Sequence, residues 1–201
     1  MSNVPKLRFS GFVDNWTSTE LGSITKIYDG THSTPEYVPA GIPFYSVEHV
    51  TANQFSETKY ISEEVFRKEN VRVRLEKNDI LMTRIGDIGT SRILDWDVQA
   101  SFYVSLALIK NASTIMSSFL DQQIKSPTFQ RQLWGRTLHV AFPKKINLGE
   151  IGKCEVAFTT SAEQQKIAAF LKAVDSRIDH VSQQVSAAKA FKKGLLQQMF
   201  V

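Results

Sequence analysis

SAEQQKIAAFLKAVDSRIDHVSQQVSAAKAFKKGLLQQM, residues 161–199, decides the architecture of this 201-residue chain. The stretch has no proline and one glycine, Gly194. It opens with Ser161–Ala162–Glu163–Gln164, a serine followed three positions on by glutamine, which has the form of a capping box. Apolar residues then recur at Ile167, Leu171, Val174, Ile178, Val181, Val185 and Ala188. The steps alternate between four and three, the 3.5-residue period of a heptad seam. Phe191 and Leu195 come next, so the register slips after Ala188 and Lys192 takes the place the strict heptad reserves. Gly194 weakens the helix there by about 1 kcal/mol relative to Ala. A helix this long spans about 58 Å at 1.5 Å per residue. A 160-residue domain is only about 30–40 Å across. An amphipathic helix lying wholly on its own domain is the competing reading. The length favours a helix that leaves the domain and pairs through its seam.

The preceding residues are of a different kind. Nine of the ten glycines and all six prolines lie there. The expected fold class is α+β: a globular mixed domain over residues 1–160 and a long dimerising coiled-coil helix over 161–201. A strand is predicted around Ile24–Tyr28, closed by Asp29–Gly30. Pro35, Pro39, Gly41 and Pro43 forbid a long helix in the next stretch. Ile42–Val47 reads as a strand, and Ser62 is placed to cap a short helix over 63–68. Val71–Leu75 alternates strictly, which predicts a half-buried strand with Arg72 and Arg74 on the outer face. Ile80–Ile85 leads into a turn at Gly86–Gly89, and Phe102–Ile109 reads as one apolar strand. Ser113 or Thr114 is expected to cap a helix running to about Lys125. Ser126–Pro127 starts another, which Gly135 ends. Val156–Phe158 reads as the last strand.

Hydrophobic residues make up 42% and charged residues 22%, which predicts a soluble globular chain and excludes a disordered one. Met1–Arg8 does not resemble a signal peptide, and no run approaches the roughly eighteen apolar residues of a membrane span. Cys154 stands alone, so neither an internal disulfide nor a thiolate zinc site is expected. A cytoplasmic location follows by default. The net charge is +4, but up to residue 160 there are 18 Lys+Arg against 17 Asp+Glu. A charge that holds nucleic acid must therefore be local.

Signals of catalysis are few. There is no Walker loop and no Gly-x-Ser-x-Gly elbow. His32, His49, His139 and His180 are scattered without metal-ligand spacing. The adenine-methyltransferase tetrad and its cofactor loop are missing too, so neither a metal nor a cofactor is expected. Pro35–Glu36 and Glu57–Thr58–Lys59 faintly resemble a metal-dependent nuclease core, with Glu in place of Asp. A small DNA endonuclease using Glu36, Glu57 and Lys59 is the enzymatic alternative.

Candidate DNA contacts follow from chemistry and exposure. Arg72 and Arg74, two apart on a strand, would point the same way and suit phosphates or a base edge. A solvated face balanced by Glu69 and Glu76 reads equally well. Arg84 and Arg92 bracket the Gly86–Gly89 turn and are placed to reach the same groove. Lys144 and Lys145 follow Pro143 on a loop. Thr31, His32, Ser33, Thr34 and Tyr37 form a loop whose groups can donate and accept toward bases.

Together these segments resemble a known family. Pro5–Lys6–Leu7–Arg8–Phe9 with Trp16 is similar to the opening of type I restriction–modification specificity subunits. Asp29–Pro35 with Gly41–Phe44, and Asp79–Arg84 with Gly86 and Gly89, resemble segments of their target-recognition domains. Ala162–Ile167, then Phe170, Leu171, Asp175 and Ile178, resembles the start of the family's spacer helix, and Lys193–Phe200 its end. Many relatives have Gly where this chain has Asn78, and Pro just before the Glu-Gln. The resemblance implies a non-catalytic subunit that reads double-stranded DNA in the major groove. Its spacer helix would pair antiparallel with an equivalent helix, beside methyltransferase subunits and a translocating restriction subunit. Family members usually carry two recognition domains and two helices, and this chain carries one of each. A natural half-subunit, acting as a homodimer on a bipartite palindrome, and a truncated two-domain subunit both remain open. So does a free-standing adaptor or regulator of such an enzyme.

Overall fold

The computed structural model describes residues 4–69 and 71–200. In chain order, β1 (Thr17–Glu20) leads into α1 (Leu21–Ile24) and β2 (Ile27–Asp29). Then come β3 (Tyr37–Val38), β4 (Ile42–Tyr45), α2 (Val47–Ala52), β5 (Lys59–Ile61) and α3 (Glu63–Glu69). After these stand β6 (Ile80–Thr83), β7 (Ser91–Ile93), β8 (Ser101–Phe102) and β9 (Leu106–Ile109). Helices α4 (Ser117–Ile124), α5 (Pro127–Arg136) and α6 (Leu148–Gly152), strand β10 (Glu155–Phe158) and helix α7 (Ser161–Met199) complete the chain.

The fold is α+β, built as layers on one central sheet. That sheet has the order β2-β9-β6-β7 and is antiparallel throughout. Strands β6 and β9 are buried at every position, which explains their unbroken apolar runs. Ile80, Met82, Ala107 and Ile109 face a core with Phe119, Ile124, Phe129 and Ile151 from α4, α5 and α6. Leu81, Leu106 and Leu108 face the other way, against Tyr45, Val50 and Phe102 of the second sheet, β3-β5-β4-β8, and its adjoining helix. A third small sheet pairs β1 with β10, so the start of the chain lies beside the first turn of α7.

That junction is locked. Glu163, in the first turn of α7, is fully buried. Its carboxylate accepts from Arg8 Nε at 2.6 Å, Arg8 Nη2 at 2.7 Å and the Thr159 hydroxyl at 2.9 Å. A bidentate guanidinium is the partner that makes a buried carboxylate tolerable. Gln164 is buried as well; its amide donates to Thr159 O at 2.7 Å and its oxygen accepts from Met116 N at 2.8 Å. Phe9 stands edge-on to Phe170, with ring centroids 5.7 Å apart. Further along, Gln122 donates to Asp175 at 2.7 Å, and Lys172 pairs with Asp95 at 3.3 Å. Beyond Asp175 every large apolar residue of the helix is exposed. The part from Ser176 to Met199 runs about 36 Å at 1.5 Å per residue.

Helix α7 has the expected bounds, but its cap differs. Thr160 is the N-cap and Ser161 the first helical residue, with no side-chain cap bond. Gln164 faces the core and does not reach back to cap the helix. Four other expectations are corrected. Leu21–Ile24 is helical, and the following strand is Ile27–Asp29. Val71–Leu75 is no strand: Leu75 is buried and Val71 exposed, but the segment is held by side chains, Arg72 to Asp29 and Lys110 Nζ to Arg74 O at 3.1 Å. The predicted Phe102–Ile109 strand divides at Tyr103–Ser105, because Phe102 pairs with Tyr45 in one sheet and Leu106 with Thr83 in the other. Helix α4 starts at Ser117, after Met116. Neither Ser113 nor Thr114 caps it; Gln164 instead receives the Met116 amide.

The Arg8 hydrogen bonds lead the effects on Glu163 and hold its carboxyl below the usual glutamate range despite burial. A depressed carboxyl stabilises the fold above its unfolded pKa, and that stability is lost as pH falls through the folded one. Arg8→Gln therefore lowers Tm at pH 7. Calorimetry across pH should show the gap to wild type close as pH drops below about 4.5, the ordinary value for glutamate.

Candidate nucleic-acid interface

The loops that leave the central sheet at the Thr83 end of β6 are gathered around one buried side chain, Arg84. Its Nη1 donates to Val104 O at 2.7 Å and its Nε to Ile146 O at 3.1 Å. Nη1 also lies 3.7 Å from Asp29 Oδ2. The Arg84 backbone adds bonds to Ser105 O and from Ile146 N. One residue thus ties together the end of β2, the β8–β9 turn and the segment before α6. Burial lowers the guanidinium pKa, partly offset by Asp29.

Asp29 is the counterpart. Arg72 Nη2 donates to its Oδ1 at 2.7 Å, and His32 Nε2 lies 2.9 Å from its Oδ2. Burial pushes this carboxyl up, but the bonds from Arg72 and His32 outweigh it and hold it below the usual aspartate range. Gly30 follows because nothing larger fits: a Cβ there would stand 1.9 Å from Phe102 O. Thr31 N donates to that same oxygen at 3.0 Å. The Asp-Gly-Thr segment is thus a close crossing of two backbones, stapled by charge.

The structure brings some candidates together and separates others. His32 is exposed beside Asp29, and the Thr34 hydroxyl lies 3.3 Å from Tyr103 Oη. Tyr37 packs edge-on to Phe44, with Lys59 Nζ 4.8 Å from its ring centroid. Thr31 is buried, and its hydroxyl bonds within the loop to Ser33. Arg72 is half spent on Asp29, and Arg74 is exposed on the irregular segment. Arg84 is corrected from a surface contact to a scaffold residue. Arg92 is corrected in place: it lies in a groove of about 1100 Å³ between the domain and α7, with Asp121, Asp175 and Asp179. It does not join Arg84. Among the described residues no three His, Cys, Asp or Glu side chains are grouped to hold a metal. Nothing supports the nuclease reading.

Lys144 and Lys145 lie on a loop closed by Leu138 N donating to Lys145 O at 2.8 Å and tied down by Gly86 N donating to Lys144 O at 2.8 Å. Lys144 Nζ sits 5.0 Å from the Trp134 ring centroid. Between Asp121 and Glu150 the sequence holds Lys125, Arg131, Arg136, Lys144 and Lys145 and not one acid. That run of charge is readable in the sequence, but the near-neutral balance over residues 1–160 as a whole averages it away.

The whole is an α+β head, its loops drawn to one end, on a helical stalk locked in by its first turn. The chain belongs to the family described as type I restriction modification DNA specificity domain, whose model matches residues 13–188. It is similar to the type I restriction enzyme EcoBI specificity subunit of Escherichia coli, 29% identical over 129 residues, which cover 64% of this chain and 27% of that protein. Its fold matches the S subunit of a type I restriction–modification system from M. genitalium, with a TM-score of 0.65 and 17% identity over 98% of this chain and 48% of that one. A chain from a structure of type I R-M complex assembly and conformational transition matches with a TM-score of 0.68 and 15% identity, covering 91% of this chain and 44% of that one. The chain thus spans about half the length of these solved structures.

Arg84→Leu leaves two inner carbonyls without their charged donor. Equilibrium urea unfolding should show a loss of about 2–4 kcal/mol, with no change in the helical circular dichroism of α7.

Proposed function

We propose that this chain is a non-catalytic DNA-recognition subunit of a type I restriction–modification enzyme. It acts in the cytoplasm, reads a few base pairs with the loops gathered around Arg84, and directs methyltransferase and restriction subunits to the site. The observation that carries the reading is the helix. Val174, Ile178, Val181, Val185, Phe191 and Leu195 form an apolar seam left open on a stalk whose base is locked. A seam with a 3.5-residue period suits another helix, and Ile167 and Leu171 continue it into the domain. In an antiparallel homodimer the seam centres on Val181, and Ile167 lies opposite Leu195. Two heads then sit at opposite ends, related by a two-fold axis, and the target becomes an inverted repeat with a gap. Family membership over residues 13–188 supports the reading, as do the subunit names of the matched proteins.

Co-expression with the methyltransferase subunit of its operon, followed by genome-wide mapping of methylated adenine, tests this directly. A split palindrome is the expected motif. An asymmetric motif overturns the homodimer, and no new methylation overturns the specificity role. Sedimentation of the isolated chain at micromolar concentration should give a dimer, and Val181→Asp with Val185→Asp should return it to monomer.

A further inference from the structure

The loop between α5 and α6 exposes more apolar surface than a free loop has reason to. Val140 is 99% exposed and Phe142 104%. Both stand at the tip of a loop that is not slack. Its neck is closed by the bond from Leu138 N to Lys145 O, and its far arm is held by Gly86 N on Lys144 O and by Ile146 N on Arg84 O. His139 packs against Trp134 at a tilt of 57°, with centroids 4.2 Å apart, and its Nε2 lies 2.9 Å from Trp134 O. An apolar side chain presented on a braced loop loses little further freedom when it is buried by a partner.

The surroundings say what that partner is. The loop lies within the stretch from residue 122 to 149 that holds five Lys and Arg and no acid. Lys144 and Lys145 follow Phe142–Pro143 directly. A fixed aromatic tip with two lysines directly after it suits a polyanion with stacked planar groups. Proteins that kink DNA insert Phe, Leu, Ile, Met or Pro between base steps in this way, from the minor groove, while basic residues hold the flanking phosphates. The loop is also tied through Arg84 to Asp29 and to Val104, whose amide donates to Thr31 O, so it joins the candidate interface.

We propose that Phe142, seconded by Val140, is a wedge that enters the DNA between two base pairs of each half-site, with Lys144 and Lys145 on the adjoining phosphates. The wedge rests on the DNA-recognition reading above. It adds specificity through deformability: a pyrimidine–purine step opens more easily than others, so the wedge selects for one without a hydrogen bond.

The test uses the full chain with its methyltransferase subunit and duplexes carrying the mapped site, with 2-aminopurine placed at each position in turn. Wild type should raise the fluorescence severalfold at one step per half-site other than the adenine that the methyltransferase subunit itself flips out. Phe142→Ser should abolish that rise and weaken site binding about tenfold or more while leaving the salt dependence unchanged. Lys144→Ala with Lys145→Ala should keep the fluorescence rise and reduce the slope of log Kobs against log salt by about 0.9 for each phosphate no longer neutralised. Val13→Ser, another exposed valine, should match wild type, and circular dichroism checks that each variant is folded. If Phe142→Ser and Val140→Ser bind and unstack DNA like wild type, the wedge is wrong and the recognition role stands. If they keep DNA binding but no longer bind the methyltransferase subunit, the tip is a protein contact and the wedge is again wrong. If wild type binds no duplex, the recognition reading falls and the wedge with it.

Discussion

The bidentate pair between Arg8 and Glu163 is the constraint on which the rest of the molecule depends. A buried carboxylate costs several kcal/mol unless it is paired and hydrogen-bonded. Here it receives two bonds from Arg8 and one from Thr159. Residues 155 positions apart are therefore joined at the first turn of the long helix. Gln164 adds a second fixing point, by taking the amide that opens α4. Phe9 on Phe170 extends the clamp further along the helix. The helix consequently leaves the head in a set direction, and the apolar seam points where the head dictates. In the proposed dimer, the spacing of the two heads is a property of this joint as much as of helix length.

The helix was legible from sequence down to its bounds, because a 3.5-residue repeat without proline needs no tertiary information. The N-terminal clamp was visible only as two family motifs far apart, and nothing in their spacing said that they touch. The strand errors share one cause. Val71–Leu75 has the alternation of a strand, but among the described residues its backbone joins no sheet. Phe102–Ile109 has the composition of one strand, but the two sheets claim its ends separately. Periodicity reports which face is apolar; it does not report whether an edge is free to pair.

The candidate interface was less legible, for a physical reason. An arginine looks the same in sequence whether it reaches solvent or is used up inside. Arg84 spends its donors on Val104 O and Ile146 O, and Arg72 spends part of its own on Asp29. Those two organise the loops and leave the surface to His32, Thr34, Lys144, Lys145 and the apolar tip. The window from 122 to 149 has no acid, but Lys125 pairs with Asp121 and Arg136 lies 4.0 Å from Glu150, so its local charge rests on Arg131, Lys144 and Lys145. Gly30 is a different case, a motif residue that serves backbone clearance.

If the exposed seam pairs antiparallel with a second copy, centred on Val181, the separation between equivalent positions must grow with distance from that centre. Spin labels placed at Ser182 in one sample and at Lys192 in another measure this directly in the full chain. Antiparallel pairing predicts copies of the Ser182 label within about 20 Å, given helix axes about 8–10 Å apart. It predicts the Lys192 labels about 33 Å apart along the axis, at 1.5 Å per residue. Short distances at both positions mean a parallel pair, and no dipolar coupling at either means no pair; either result contradicts the antiparallel dimer.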